Sequence, residues 1–83
     1  MEKYKVIEHL NIDDFWRKSQ NCKDCSSKFF EVKLFKDKHS QEYAGTVYFE
    51  IIGVIQDSEI NNAISEKLNS AFNHVGLYQI FEK

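Results

Sequence analysis

The sequence predicts a small α+β domain made of two strand–helix–strand halves, and three observations predict it. A nearly unbroken apolar run, Val47–Ile55, stops at the helix-starting pair Asp57-Ser58. A segment with apolar residues every three or four positions follows, and a short apolar stretch, Leu77–Phe81, comes after Gly76. The first half of the chain repeats that order in weaker form.

Taken in order, Lys3–Leu10 alternates, with Tyr4, Val6 and Leu10 on one face and Lys5, Ile7 and His9 on the other. Glu8 breaks the apolar face, so this is a strand with one defect. Asn11 or Asp13 can cap a short helix whose stripe is Ile12, Phe15 and Trp16, ended by Ser19-Gln20-Asn21. Lys28–Lys36 alternates cleanly: Phe30, Val32 and Leu34 face one way, Phe29, Glu31, Lys33 and Phe35 the other. The polar connection Asp37–Glu42 returns the chain as a hairpin.

Tyr43–Ile55 is the returning strand, with Val47, Phe49 and Ile51 opposite Tyr48, Glu50, Ile52 and Val54. Gly53 suggests a bulge that moves Val54 or Ile55 to the other face. Asp57 or Ser58 is the expected cap of the second helix, whose stripe is Ile60, Ala63, Ile64, Leu68, Ala71, Phe72 and Val75, interrupted by Lys67. Gly76 suits a left-handed residue past the helix end. His74 falls in the last turn, where a cation is favoured.

Strand, helix, strand, strand, helix, strand is the order of the ferredoxin-like plait, a four-stranded antiparallel sheet with both helices on one face. One domain spans 1–83, with no linker or low-complexity tail.

In that plait the second sheet face is open. It carries Phe29, Glu31, Lys33 and Phe35 beside Tyr48, Glu50 and Ile52, an apolar and aromatic set too large for a solvated surface. Aromatic anchors rimmed by charges match protein interfaces, so these seven residues are the expected partner-binding set. The partner is a larger protein or a second copy. Composition agrees: seven Phe, four Tyr and one Trp among 83 residues supply large contact area. Net charge is −2, split as +2 over residues 1–41 and −4 over 42–83, which argues against a general phosphate-backbone binder.

The alternative is a ferredoxin-like RNA-binding or ligand-sensing regulatory module. RNA-recognition domains stack bases on sheet aromatics, and their third-strand signature begins with a basic residue and a Gly. Tyr43-Ala44-Gly45-Thr46-Val47-Tyr48-Phe49-Glu50 is similar in its Gly and Tyr but lacks the basic residue, and Glu50 repels phosphate. Acylphosphatases share the architecture but need an Arg in a Gly-rich first loop, where this chain has Asn11-Ile12-Asp13-Asp14.

Catalytic and cofactor motifs are missing from the sequence. The three Gly are scattered, so no phosphate loop forms, and His9, His39 and His74 stand apart from any nucleophile pattern. Cys22 and Cys25, with His39, are the weak metal candidates; no second CxxC or HxxxH completes a zinc pattern. The CxxC is also misplaced for redox work, which wants a helix start after a strand. The expectation is a non-catalytic, cofactor-free protein, with both cysteines reduced in the cytoplasm and no membrane segment. Its size and style suit a phage or mobile-element inhibitor, an immunity-type protein or an adaptor, acting by steric block through the open face or an edge strand.

Overall fold

The computed structural model describes residues 3–22, 26–37, 39, 42–74 and 76–83. Its elements are β1 (Tyr4–His9), α1 (Ile12–Asn21), β2 (Ser27–Phe35), β3 (Tyr43–Gly53), α2 (Asp57–Phe72) and β4 (Tyr78–Glu82). They form one four-stranded antiparallel sheet with two helices. The β-α-β-β-α-β order and the face of nearly every strand residue follow the sequence pattern.

The strand order corrects the expected plait. It runs β1-β3-β2-β4, so the last strand pairs with β2 and not with β1. This is not a plain ferredoxin-like order. The helices also lie on opposite faces. Ile60, Ala63, Ile64 and Leu68 of α2 pack on Phe30, Val32, Phe49 and Ile51, with Tyr4, Val6, Leu34, Val47, Phe72, Tyr78 and Ile80 around them. Phe15 of α1 packs on Phe29 and Tyr48, which point the other way from β2 and β3. The face expected to be open therefore carries a helix.

Local chemistry explains the element ends. The Asn11 side chain accepts from the backbone N–H groups of Asp13 and Asp14, at 2.9 and 3.2 Å, and caps α1. At α2 the N-cap position is Gln56, which makes no side-chain cap bond, so neither Asp57 nor Ser58 caps it. Asp57 and Glu59 still favour its first turn by charge. The left-handed residue past α2 is Asn73 (φ 52°), not Gly76, and the Leu68 carbonyl accepts from the backbone at this cap, with the His74 N–H donating to it at 3.1 Å. His74 consequently lies beyond the helix, its Nε2 3.2 Å from the Leu77 carbonyl. Ala71, placed on the apolar stripe by its spacing, is exposed, and Val75 lies outside the described residues.

Two further details differ. Gly53 has φ 113°, and a Cβ there would run into the Lys3 carbonyl oxygen and sit 3.1 Å from the Tyr4 Cα. No register change occurs at Gly53; the shift is at Leu34/Phe35 instead. Ile55 turns into the α2 core while Val54 stays exposed. Leu10 leaves the strand pattern altogether and is 88% exposed.

Candidate functional site

The α1 side of the sheet divides into two halves, and helix length is the reason. The 10 residues of α1 rise about 15 Å. The 11 residues of β3 extend about 36 Å. One short helix cannot cover that strand, so part of the face stays open.

The covered half is built around Phe15, which is fully buried. Its ring meets Phe29 at 5.7 Å, Tyr48 at 4.9 Å and His9 at 5.6 Å. Trp16 stands edge-on to Tyr48 at 6.3 Å, and the Lys83 ammonium lies over its ring at 5.3 Å. Beneath α1 sits a charge cluster. Glu50 is 1% exposed, and its Oε1 receives the His9 Nε2 at 2.8 Å and the Lys18 Nζ at 3.0 Å. β-pairing sets this geometry: Glu50 faces Ile7 on β1 and Phe29 on β2, and His9 faces Tyr48.

Burial pushes the Glu50 carboxyl upward, but bonds from Lys18, Ser27 and His9 and the Lys18 charge outweigh it, so the group titrates below its ordinary range. Oε2, the other carboxylate oxygen, is buried with no hydrogen-bond partner among the described residues. Tyr48 moves the other way: burial, then the Glu31 carboxylate beside it, raises its hydroxyl.

The uncovered half holds Lys33, Phe35, Tyr43, Gln79 and Phe81. Phe35 and Tyr43 tilt together at 4.9 Å. The Lys33 ammonium lies 5.1 Å from the Tyr43 ring centre and 5.5 Å from that of Phe81. The Tyr43 hydroxyl donates to Gln79 Oε1 at 3.1 Å, tying β3 to β4 across β2.

The seven residues expected to bind a partner are thus divided. Phe29 and Glu50 are buried beneath α1, and Tyr48 is half-buried against Phe15 and Trp16. Ile52 is half-buried between Lys5 and Ser27 in register. Glu31 approaches Lys83 at 3.9 Å. Lys33 and Phe35 alone of the seven belong to the open platform. The metal candidates do not assemble. Cys22 is disulfide-bonded, correcting the expectation of a reduced thiol. Cys25 lies outside the described residues, and His39 is exposed in a turn where its N–H donates to Asp37 Oδ1 at 2.8 Å. Among the described residues, no three His, Cys, Asp or Glu side chains come together to hold a metal ion.

Sequence reasoning missed Phe15, Lys18 and His9 as the partners that cover the face. A signal existed: Phe15 and Lys18 lie three apart on one helix face, and His9 shares the strand face of Ile7. Gln79 carried no such signal, because it needs the β4 pairing to reach the platform, and plain alternation puts Tyr43 on the face of Val47 and Phe49, from which the register shift at Leu34/Phe35 moves it beside Phe35.

No protein-family model, curated protein or solved structure matches the chain. No helix among the described residues is long and apolar enough to cross a membrane.

Proposed function

We propose that this chain is a non-catalytic protein-binding module that docks on a larger partner protein and blocks or positions it. The observation that carries the reading is the aromatic platform of Phe35, Tyr43 and Phe81 around Lys33, left open where α1 ends. Tyr43 is 49% exposed and Phe81 38% exposed, well above the core values on the same strands. Rigid aromatic rings beside a half-desolvated cation are the side chains that dominate binding energy at protein interfaces. Glu31 rims the platform and offers a charge for register with the partner. An inhibitor, immunity-type or adaptor role in the cytoplasm fits a chain of this size, and a phage or mobile-element source fits the same style.

The test is a Tyr43→Ala/Phe81→Ala double variant of the full chain, used as bait beside the unaltered protein in the native host, with cross-link mapping of the captured partner. The expected result is a loss of capture of about tenfold or more, with cross-links from the unaltered protein centred on Lys33. Undiminished capture, or cross-links centred elsewhere, refutes the assignment of this surface. Binding of single-stranded RNA that falls steeply with salt would favour a nucleic-acid partner instead.

A further inference from the structure

The backbone of β3 offers a second feature that the aromatic platform does not use. β2 pairs with β3 from Tyr43 to Ile52, but β1 pairs with it only from Tyr48 to Gly53. Among the described residues, Tyr43–Val47 therefore has a strand on one side and none on the other. The direction of its free groups follows from alternation. The Gly53 N–H points to β2, bonding the Ser26 carbonyl at 3.3 Å, and the Val54 N–H points to the β1 side, bonding the Lys3 carbonyl at 3.0 Å. Register is unbroken from Thr46 to Ile52 on β2. Thr46 therefore directs its N–H and C=O out of the sheet, on the line that β1 abandons at His9.

That opening has apolar walls on both sides of the sheet. A groove of about 210 Å³ lies along it, lined by His9, Leu10, Ile12, Val47, Tyr48 and Phe72 among others. Leu10 is 88% exposed and Ile12 47% exposed, so the chain leaves two large aliphatic groups beside an unpaired strand. The outer edge of β1 differs: the groove beside it is lined by Lys5, Glu66 and Lys67, and such charges discourage strand addition. Charge narrows the occupant. Glu8 lines the β3 opening and Asp13 stands in the first turn of α1 next to Ile12, while His9 is the basic residue of the lining. An incoming strand with Lys or Arg between aliphatic residues complements those carboxylates.

We propose that Ala44–Val47 is a strand-addition site for an extended, basic–aliphatic segment of a partner protein, which pairs with Thr46 and seats aliphatic side chains against Leu10, Ile12 and Phe72. This deepens the protein-binding reading but uses a different surface from the aromatic platform, so either can fail alone.

The experiment titrates the ¹⁵N-labelled full chain with an acetylated peptide, Lys-Ile-Thr-Val-Lys-Ile-Thr, and follows amide shifts and hydrogen exchange. Two controls replace its Lys by Glu or its central Val by Pro. The expected result is binding at about 1 mM or below, shifts at Thr46, Val47, Leu10 and Ile12, and slowed exchange of the Thr46 N–H. Both control peptides should bind at least about tenfold more weakly. Thr46→Pro removes the outward N–H and should abolish binding; Ile12→Ser keeps β3 intact, removes an aliphatic contact without adding charge and should weaken binding, covering the case in which the proline variant does not fold. Phe81→Ala, which alters the platform on β4 only, should bind the peptide as the unaltered chain does. Shifts confined to Phe35, Gln79 and Phe81 would overturn strand addition while leaving the platform reading standing. Absence of binding, or concentration-dependent shifts at Thr46 without peptide, which mark a second copy as the occupant, would also overturn it.

Discussion

Replacing Lys18 by Met tests whether the buried Glu50 cluster holds α1 on the sheet. The substitution keeps an apolar stem and deletes the ammonium that sits 3.0 Å from Glu50 Oε1. Glu50 then stays buried with the His9 bond at 2.8 Å and no hydrogen bond at Oε2. Removing one partner of a fully buried pair costs roughly 3–5 kcal/mol. The Lys18 side chain is 52% exposed, so water already screens the pair and the expected cost falls to about 1–2 kcal/mol. A domain of 83 residues has roughly 4–12 kcal/mol of stability in total. The loss should lower the Tm by roughly 5–15 °C. Urea unfolding followed by Trp16 fluorescence suits the measurement, because the single Trp lies on α1 against Phe15 and Tyr48. Arg17→Met is the control: its bond to Asp14 is 3.5 Å long between exposed side chains, worth about 0.5 kcal/mol or less. The pH dependence has a definite sign. Glu50 is held below its ordinary range, so its stabilisation is complete above the unfolded carboxylate pKa, about 4.3, and is lost as pH falls through the folded value. Deleting Lys18 raises that folded value and should move acid unfolding to higher pH. Equal losses in the Lys18 and Arg17 variants, with unchanged acid midpoints, would refute the reasoning.

Other perturbations probe the parts around that cluster. Phe15→Ala empties a fully buried position between four rings and should cost about 3–5 kcal/mol; a calorimetric loss well below this would mean that α1 contributes little to the fold. Gly53→Ala forces a Cβ toward the Lys3 carbonyl at φ 113° and should cost about 1–3 kcal/mol in chemical denaturation. Asn11→Ala removes two cap bonds and should cost about 1 kcal/mol, with faster amide exchange in the first turn of α1.

Much of the fold was legible because periodicity reports on local geometry. Alternation assigned Phe30, Val32, Leu34, Val47, Phe49, Ile51, Tyr78 and Ile80 to one face, and all of them join the α2 core. The cap at Asn11 was legible for the same reason, since capping is a contact between near neighbours. Helix ends set by backbone geometry were not: Asn73 and Gly76 can both adopt the left-handed conformation, and the choice depends on where α2 stops. The candidate site was half legible. The outward set of Phe29, Glu31, Lys33, Phe35, Tyr48, Glu50 and Ile52 does share one face, but what covers that face is a matter of topology. Glu50 illustrates the difference. Its alternation is that of a surface carboxylate, and its burial arises from Lys18, 32 positions earlier, and His9, 41 positions earlier.

The position of the final strand decides which side each helix takes. In the order β1-β3-β2-β4, the connection from β1 to β2 passes over β3, and the connection from β3 to β4 passes over β2. Both step across the sheet in the same direction, yet β1 and β3 run antiparallel. A right-handed crossover puts its helix on a face fixed by strand direction and step direction together. Reversing the strand while keeping the step reverses the face, so right-handed crossovers place α1 and α2 on opposite sides. Had β4 paired with β1, the second step would have reversed as well, and both helices would share a side. Pairing on the far edge has a second consequence. It sets Phe81 opposite Glu31 and Gln79 opposite Lys33, which brings the β4 side chains into the aromatic platform. It also leaves β1 as an edge strand that ends at His9, so β3 lacks a described partner strand on that side before Tyr48, while β2 still pairs with its other side. One topological choice thus covers Phe29, Tyr48 and Glu50, assembles the open aromatic end around Lys33, and creates the gap beside Thr46.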